Sequence, residues 1–293
     1  MSLKGVIKPK IIREYFDTQG FIEIDSPVLI KANAVEAYID PIPVPGFGQL
    51  RTSPELYHKR LLAHGLEKIY ELGAVFRDDP EGPLHSKEFT LLEWYRAGAS
   101  LSDLIKDCEA LFKRLDPKRF ARPFEVKTMQ ELWLGIAQID LREAIKQGDL
   151  VERVLKAGFA LRDQADFSDA FHQVMLIAIE PKIGQEVPTV VTRWPLDMAA
   201  LAQICKDDTC FAERFEIYYQ GIELANAFLE LTDPVEQRKR FDVEKKIRQK
   251  LGKDPGEIDE DFLSDLAKMP PAAGIALGFD RLLMCINDVK NIS

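Results

Sequence analysis

Arg77, His85, Phe89, Glu93 and Tyr95 fall in one stretch, Ala74 to Gly98, AVFRDDPEGPLHSKEFTLLEWYRAG. A guanidinium suits a phosphate or a carboxylate because its planar fork bonds two oxygens at once. Two runs rich in β-formers flank a polar loop holding Pro80, Gly82 and Pro83, so the stretch reads as strand, long turn, strand. Arg77 ends the first strand, His85 lies on the loop and Phe89 opens the second. Period-two alternation then puts Phe89, Leu91, Glu93 and Tyr95 on one face. An aromatic ring, a carboxylate and a phenol on one strand face are unusual for a core. From these residues alone, the alternative is a hairpin with a half-polar solvent face.

Three further stretches bear on that choice: Phe21-Ile-Glu-Ile-Asp-Ser-Pro27, Ile222-Glu-Leu-Ala-Asn-Ala-Phe-Leu-Glu-Leu-Thr-Asp233 and Gly274-Ile-Ala-Leu-Gly278-Phe-Asp280-Arg281-Leu-Leu-Met284. With the first stretch, these resemble motif 1, the strand between motifs 2 and 3, motif 3 and motif 2 of class II aminoacyl-tRNA synthetases, in the right chain order. The run from Glu88 to Tyr95 is most similar to the lysyl enzymes. The resemblance implies an α+β catalytic domain over 1–293, an antiparallel sheet flanked by helices, with 116–205 as an insertion between motifs 2 and 3. It also implies a homodimer with Pro27 at the twofold interface. Motif 1 begins within the first residues, so no anticodon-binding domain is expected.

The chemistry implied is amino-acid activation by ATP with Mg²⁺. By resemblance, Arg77 bridges the substrate carboxylate and the α-phosphate, and Arg281 holds the terminal phosphates with support from His85. Phe89 stacks on adenine and Glu223 binds the metal. Asp79, Ser86, Leu224 and Gly278 complete the nucleotide site. The amino-acid pocket is formed by Ser53, Glu55, Glu93, Tyr95, Asn226, Glu230 and Ala276. Burying three carboxylates together is costly unless cations pair with them. A diamino acid brings two ammonium groups, and no arginine or lysine is expected opposite these positions, so the substrate is expected to be lysine or β-lysine.

The chain departs from the synthetase pattern in three places. Asp79 replaces the usual motif 2 glutamate, the loop reads His85-Ser86-Lys87-Glu88, and Ala276 stands where motif 3 has its middle glycine. The last departure and the missing anticodon domain resemble family members whose acceptor is a lysine side chain of elongation factor P, with tRNA unlikely. A minimal tRNA-charging enzyme and a catalytically silent regulatory paralogue are the alternatives. Loss of Arg77 or Arg281 would favour silence, and both are present.

Several elements must position these residues. Ile11, Ile12, Tyr15 and Phe16 have helical spacing from about Val6 to Gln19, with Pro9 in the first turn and Gly20 ending the helix. Ser53 is the expected N-cap of a helix with Pro54 at its first position, and dipole chemistry alone accounts for Glu55 there. Leu101, Leu104, Ile105, Cys108, Leu111, Phe112 and Leu115 form an apolar stripe, capped by Ser100 or Ser102. Phe167 to Ile179 reads as helix, Pro188 to Thr192 as strand, Glu213 to Leu231 as one long β-rich segment, and Val235 to Leu251 and Glu260 to Met269 as helices.

The chain has 293 residues, 46% hydrophobic and 30% charged, with net charge −9. That is an ordinary soluble balance with enough length for a substantial core and no apolar run long enough for a membrane span, and Cys108 and Cys285 among apolar helix positions fit a reduced, cytoplasmic setting. No C-x-x-C pair joins the four cysteines, which argues against zinc. A tRNA-gripping protein usually carries a basic domain or stripe. The densest basic run here, Arg238 to Lys253, is interleaved with acids and reads as a solvated helix face.

Overall fold

A computed structural model of the chain describes residues 3–291. Helix α1 (Leu3–Thr18) leads to strand β1 (Ile22–Glu23), helix α2 (Glu55–Ala63), strands β2 (Lys68–Phe76) and β3 (Glu88–Ala97), and helix α3 (Leu101–Leu115). Strands β4 (Glu125–Thr128), β5 (Thr189–Pro195), β6 (Phe211–Tyr219) and β7 (Ile222–Leu229) follow, with helical segments between β4 and β5. Then come helices α4 (Pro234–Lys250) and α5 (Glu260–Leu266), strand β8 (Ala272–Gly278) and helix α6 (Phe279–Asn287). The chain divides into two compact units, 1–121 with 229–293, and 122–228.

In the first unit β1 runs parallel to β2, while β3 pairs antiparallel with both β2 and β8. The register decides which residues share a face. Tyr70 lies opposite Trp94, and Trp94 opposite Ile275. Phe16 of α1 stacks on Tyr70 at 4.5 Å and meets Trp94 edge-on at 5.3 Å. This buried face is the core, and each large side chain removed from water there contributes roughly 1.5–3 kcal/mol. The alternate residues, Glu71, Glu93 and Ala276 in one row and Tyr95 with Gly274 in the next, form the other face. Ser100 caps α3 in a capping box with Asp103.

In the second unit β4 and β5 are parallel, and β5–β6 and β6–β7 are antiparallel. Its core gathers Trp133, Phe171 and Trp194. The expected α+β fold with a mostly antiparallel sheet is what both units contain, each with one parallel pair. The β-rich segment Glu213 to Leu231 is the hairpin β6–β7. Gln220 and Gly221 have φ of 53° and 73°, the pair of positive values that a tight two-residue hairpin turn requires.

Three local expectations also change. Helix α1 starts at Leu3, which puts Pro9 inside it rather than in its first turn. The N-cap of α2 is Pro54, although the Ser53 hydroxyl still accepts the Glu55 amide at 3.0 Å. The basic run on α4 is not merely solvated: Arg248 is buried and donates to Asp40 at 3.1 Å and to the carbonyls of Glu36 and Ile39, each at 2.9 Å. Among the described residues no helix is long and apolar enough to cross a membrane.

Candidate active site

The polar face of β2–β3–β8 is closed by the start of α2 and by the residue that follows β7. Glu93, at the middle of β3, accepts from the Ser53 hydroxyl at 2.9 Å and from the Tyr95 hydroxyl at 2.7 Å. Glu230 donates its backbone amide to the Ala272 carbonyl at 2.9 Å, and its side chain is buried completely. Between Glu230 and Glu55 lies Lys59, one helical turn after Glu55. Its Nζ is 2.5 Å from Glu55 and 2.6 Å from Glu230. The expectation that no lysine or arginine faces the acidic residues is therefore corrected: Lys59 does, fully buried.

Burial sets the protonation of this cluster. It pushes Glu93 up to about 8, helped by the charge of Glu55, against the hydrogen bonds from Tyr95 and Ser53. It also pushes Glu230 up to about 8, against the pull of the Lys59 charge. Burial alone would lower Lys59, but the charges of Glu230 and Glu55 overcome it and hold the ammonium protonated. The Tyr95 phenol is pushed well above its ordinary range, first by burial and then by Glu93. Ala276 lies opposite Glu93 and Gly274 opposite Tyr95. A Cβ at Gly274 would stand 2.2 Å from the Tyr95 ring and 2.4 Å from a Glu230 oxygen. Only glycine leaves the phenol and the carboxylate where they are. Ser53 and Glu55 also border a cavity of about 510 Å³ lined by Asn33, Arg51, Arg60 and Asp259.

Beside this pocket runs a second buried polar set. Glu71, opposite Glu93 in register, accepts from Ser26 at 2.6 Å, from Arg51 at 2.5 Å, and lies 3.0 Å from the His58 ring nitrogen. Burial tends to raise Glu71, yet the His58 and Ser26 contacts and the Arg51 charge bring it below the usual carboxylate range. Burial lowers His58, so it stays neutral and meets Tyr95 edge-on at 5.4 Å. The set braces the tyrosine and ties the segment around Ser26 to the pocket.

Further along the same face the residues change from acidic to basic. The Arg77 guanidinium lies over the Phe89 ring at 5.1 Å. Arg281, in the first turn of α6, reaches the His85 ring at 3.1 Å and the Leu84 carbonyl at 3.3 Å. Its neighbour Asp280 accepts the Thr90 amide at 2.7 Å and so ties the start of α6 to β3. Gly278 is the N-cap of α6, opposite Leu91. Asp79 and Ser86 are half-buried on the loop between β2 and β3. The first unit thus gathers Ser53, Glu55, Glu93, Tyr95, Glu230 and Ala276 in one cluster and Arg77, His85, Phe89 and Arg281 in another.

Glu223, Leu224 and Asn226 belong to the second unit. Asn226 is opposite Glu216 in the β6–β7 hairpin and accepts from Arg214 at 3.0 Å. Arg214 also bonds Glu216, whose other oxygen accepts from Tyr218 at 2.5 Å. Glu216 is pushed up to about 8, by burial first and then by Glu223. A divalent cation would relieve that repulsion, and Mg²⁺ is commonly held by one or two carboxylates together with phosphates. The donor set therefore fits Mg²⁺. Among the described residues there is no group of three or more His, Cys, Asp or Glu that could hold a metal without other ligands.

Sequence reasoning missed Lys59, Gly274 and Glu216. The four-residue step from Glu55 to Lys59 on one helix was a readable signal. Gly274 and Glu216 had no such signal, because their roles depend on cross-strand register.

Residues 6–293 match the family described as tRNA synthetases class II (D, K and N). The chain is 36% identical to the elongation factor P--(R)-beta-lysine ligase of Haemophilus influenzae (strain PittGG), over 96% of this chain and 89% of that protein. It is 36% identical to the protein of the same name from Hamiltonella defensa, over 99% and 92%, and 37% identical to that from Proteus mirabilis, over 96% and 89%.

Proposed function

We propose, from the premise that the chain belongs to the class II tRNA synthetase family, that it activates (R)-β-lysine with ATP and joins it to a lysine side chain of elongation factor P. The observation that carries this reading is the buried cluster of Glu55, Glu93 and Glu230, which holds a single resident cation, Lys59. The three carboxyl groups outnumber that cation by two, the charge that the two ammonium groups of a diamino acid bring. Relatives that align over nearly the whole chain bear the name of this activity.

In the first step a carboxylate oxygen of β-lysine attacks the α-phosphorus of ATP, and the bond to pyrophosphate breaks. Arg77 holds the attacking carboxylate against the α-phosphate, while Arg281 and His85 hold the terminal phosphates. Phe89 packs the adenine, with Asp79, Ser86 and Gly278 around the nucleotide. Glu223, with Glu216 beside it, would hold Mg²⁺, which would supply charge neutralisation to phosphates. In the second step the acceptor amine attacks the adenylate carbonyl, an amide forms and AMP leaves. Most of the acceleration comes from positioning and fixed charge. A twofold dimer is part of the proposal, supported by the exposed apolar side chains Ile22, Val28 and Leu29 around β1 and Pro27. A cytoplasmic location follows from an acceptor that serves translation.

Pyrophosphate exchange with both lysine isomers, then mass measurement of elongation factor P, tests the reading. Exchange is expected to favour β-lysine, and elongation factor P should gain one β-lysyl group. Preference for α-lysine, with tRNA charged and elongation factor P untouched, would replace this reading with the minimal synthetase. Ala276, opposite Glu93, narrows the pocket where lysyl-tRNA synthetases have glycine. Ala276→Gly should therefore raise α-lysine activation relative to β-lysine by about tenfold, the lower end of what one such carbon is worth in a pocket. An unchanged ratio of the two kcat/KM values would remove Ala276 from the specificity argument.

A further inference from the structure

Lys59 is a fully buried lysine inside the acidic cluster proposed above to meet the ammonium groups of a diamino acid. Its Nζ is 2.5 Å from Glu55 and 2.6 Å from Glu230, and its side chain is fully buried. An i,i+4 pair on an exposed helix face would stabilise the helix only slightly. A buried pair gains nothing certain over apolar residues of the same size, because both charges lose their hydration. Helix stability therefore does not account for Lys59. We infer that Lys59 is the resident counter-cation of the pocket: held between Glu55 and Glu230, it offsets one of three negative charges and leaves two, so that the pocket is set for a substrate with two ammonium groups. The inference rests on the diamino substrate proposed above and makes Lys59 a specificity-determining, positioning residue.

The charges close only with both partners present. In the empty pocket one ammonium faces the carboxyl groups of Glu55, Glu93 and Glu230, and protons are held there at neutral pH. Glu93 and Glu230, each pushed up to about 8, hold them. When a substrate brings two ammonium groups, three cations meet three carboxylates and these protons leave. A monoamine would leave one carboxyl protonated or one charge unpaired. Without Lys59, Glu230 would have to ionise beside the substrate with no resident ammonium to lower its pKa.

The surrounding groups do not titrate in the same window. His58 of α2 is held neutral by burial, and the Tyr95 phenol of β3 is pushed well above its ordinary range. Glu71 of β2 lies below the carboxylate range with His58, Ser26 and Arg51 around it. Asp265 of α5, which packs against α2, is held low by its contacts with Arg60 and Lys268. Facing strand β8 brings Gly274 and Ala276, which carry no charge. The sign then follows: ammonium groups favour the ionised carboxyls, so binding tightens as pH rises toward about 8.

Two measurements test this. In the unmodified protein, calorimetry in buffers of different ionisation heat should show β-lysine binding at pH 7 with release of about two protons. Release of fewer than about one overturns the inference. In Lys59→Met, which keeps the length of the stem and removes the charge, Glu230 loses the ammonium that lowers its pKa. The KM for β-lysine in pyrophosphate exchange should rise about tenfold at pH 7, the effect of one further pKa unit. Most of that deficit should disappear at about pH 8.5, with kcat little changed. Damage to packing would not be relieved by pH. A KM unchanged at pH 7, or a deficit of equal size at both pH values, overturns it, and if Lys59→Met does not fold the proton count decides alone. If the unmodified protein exchanges with neither lysine isomer, the substrate reading fails and takes this inference with it. Normal exchange with an indifferent Lys59→Met removes only this inference.

Discussion

Replacing Arg77 or Arg281 with alanine is expected to lower β-lysine-dependent pyrophosphate exchange by about 10²-fold or more. The two guanidiniums are fixed cations at the basic end of the site face, one over Phe89 at 5.1 Å and one against His85 at 3.1 Å. Negative charge builds on the phosphate oxygens as the bond to pyrophosphate breaks. A preoriented donor aimed at that charge acts on the transition state more than on bound ATP, and loss of one such donor in other enzymes costs about 10²–10³ in kcat. The loss should therefore appear mainly in kcat, with a smaller change in the KM for ATP. Lysine is not an adequate substitute at Arg77, because a point charge cannot bridge a carboxylate and a phosphate as a planar fork does. Neither arginine is buried in the core, so thermal unfolding should stay near that of the parent. Exchange within a few-fold of the parent in both variants would mean that phosphoryl chemistry takes place elsewhere.

Gly274→Ala is expected to raise the KM for β-lysine by about 10²-fold, although Gly274 has no side chain to touch the substrate. The added Cβ would stand 2.2 Å from the Tyr95 ring and 2.4 Å from a Glu230 oxygen. Neither can yield cheaply. Tyr95 is bonded to Glu93 at 2.7 Å and Glu230 to Lys59 at 2.6 Å, so moving one displaces the rest. A shift of about 1 Å in such a constellation is enough for a 10²-fold loss. Overpacking costs about 1–3 kcal/mol in stability as well, which a melting curve will report separately. ATP binding measured without lysine should stay within a few-fold, since Arg77 and Arg281 lie further along the face. A β-lysine KM near that of the parent would show that the pocket yields around Gly274 and would weaken the account of a rigid acidic cluster.

Much of this site was legible before any tertiary contact was known. Alternation along Phe89, Leu91, Glu93 and Tyr95 is a property of the strand alone, and the β2–β3 register places all four on one face. The helix stripe from Leu101 to Leu115 and its cap were equally local. So was the identity of the charged groups: two arginines in their motifs and three glutamates that no ordinary core would tolerate. These features depend on neighbours within a few residues, so sequence spacing carries them.

Only the tertiary structure decided which distant groups share a position. Lys59 lay in plain view four residues after Glu55, but its second partner, Glu230, comes from a segment far along the chain. The fold turned an expected vacancy for cations into a pocket already one-third neutralised. In sequence, Glu213 to Leu231 is a β-rich run in which Gln220-Gly221 is only a weak turn signal. Positive φ at both residues made it a hairpin, which set Asn226 opposite Glu216. Gly274 shows the same limit: its missing side chain matters only because Tyr95 and Glu230 converge on it. Local propensity and period govern the elements, whereas burial and register govern the protonation and spacing of the groups those elements carry.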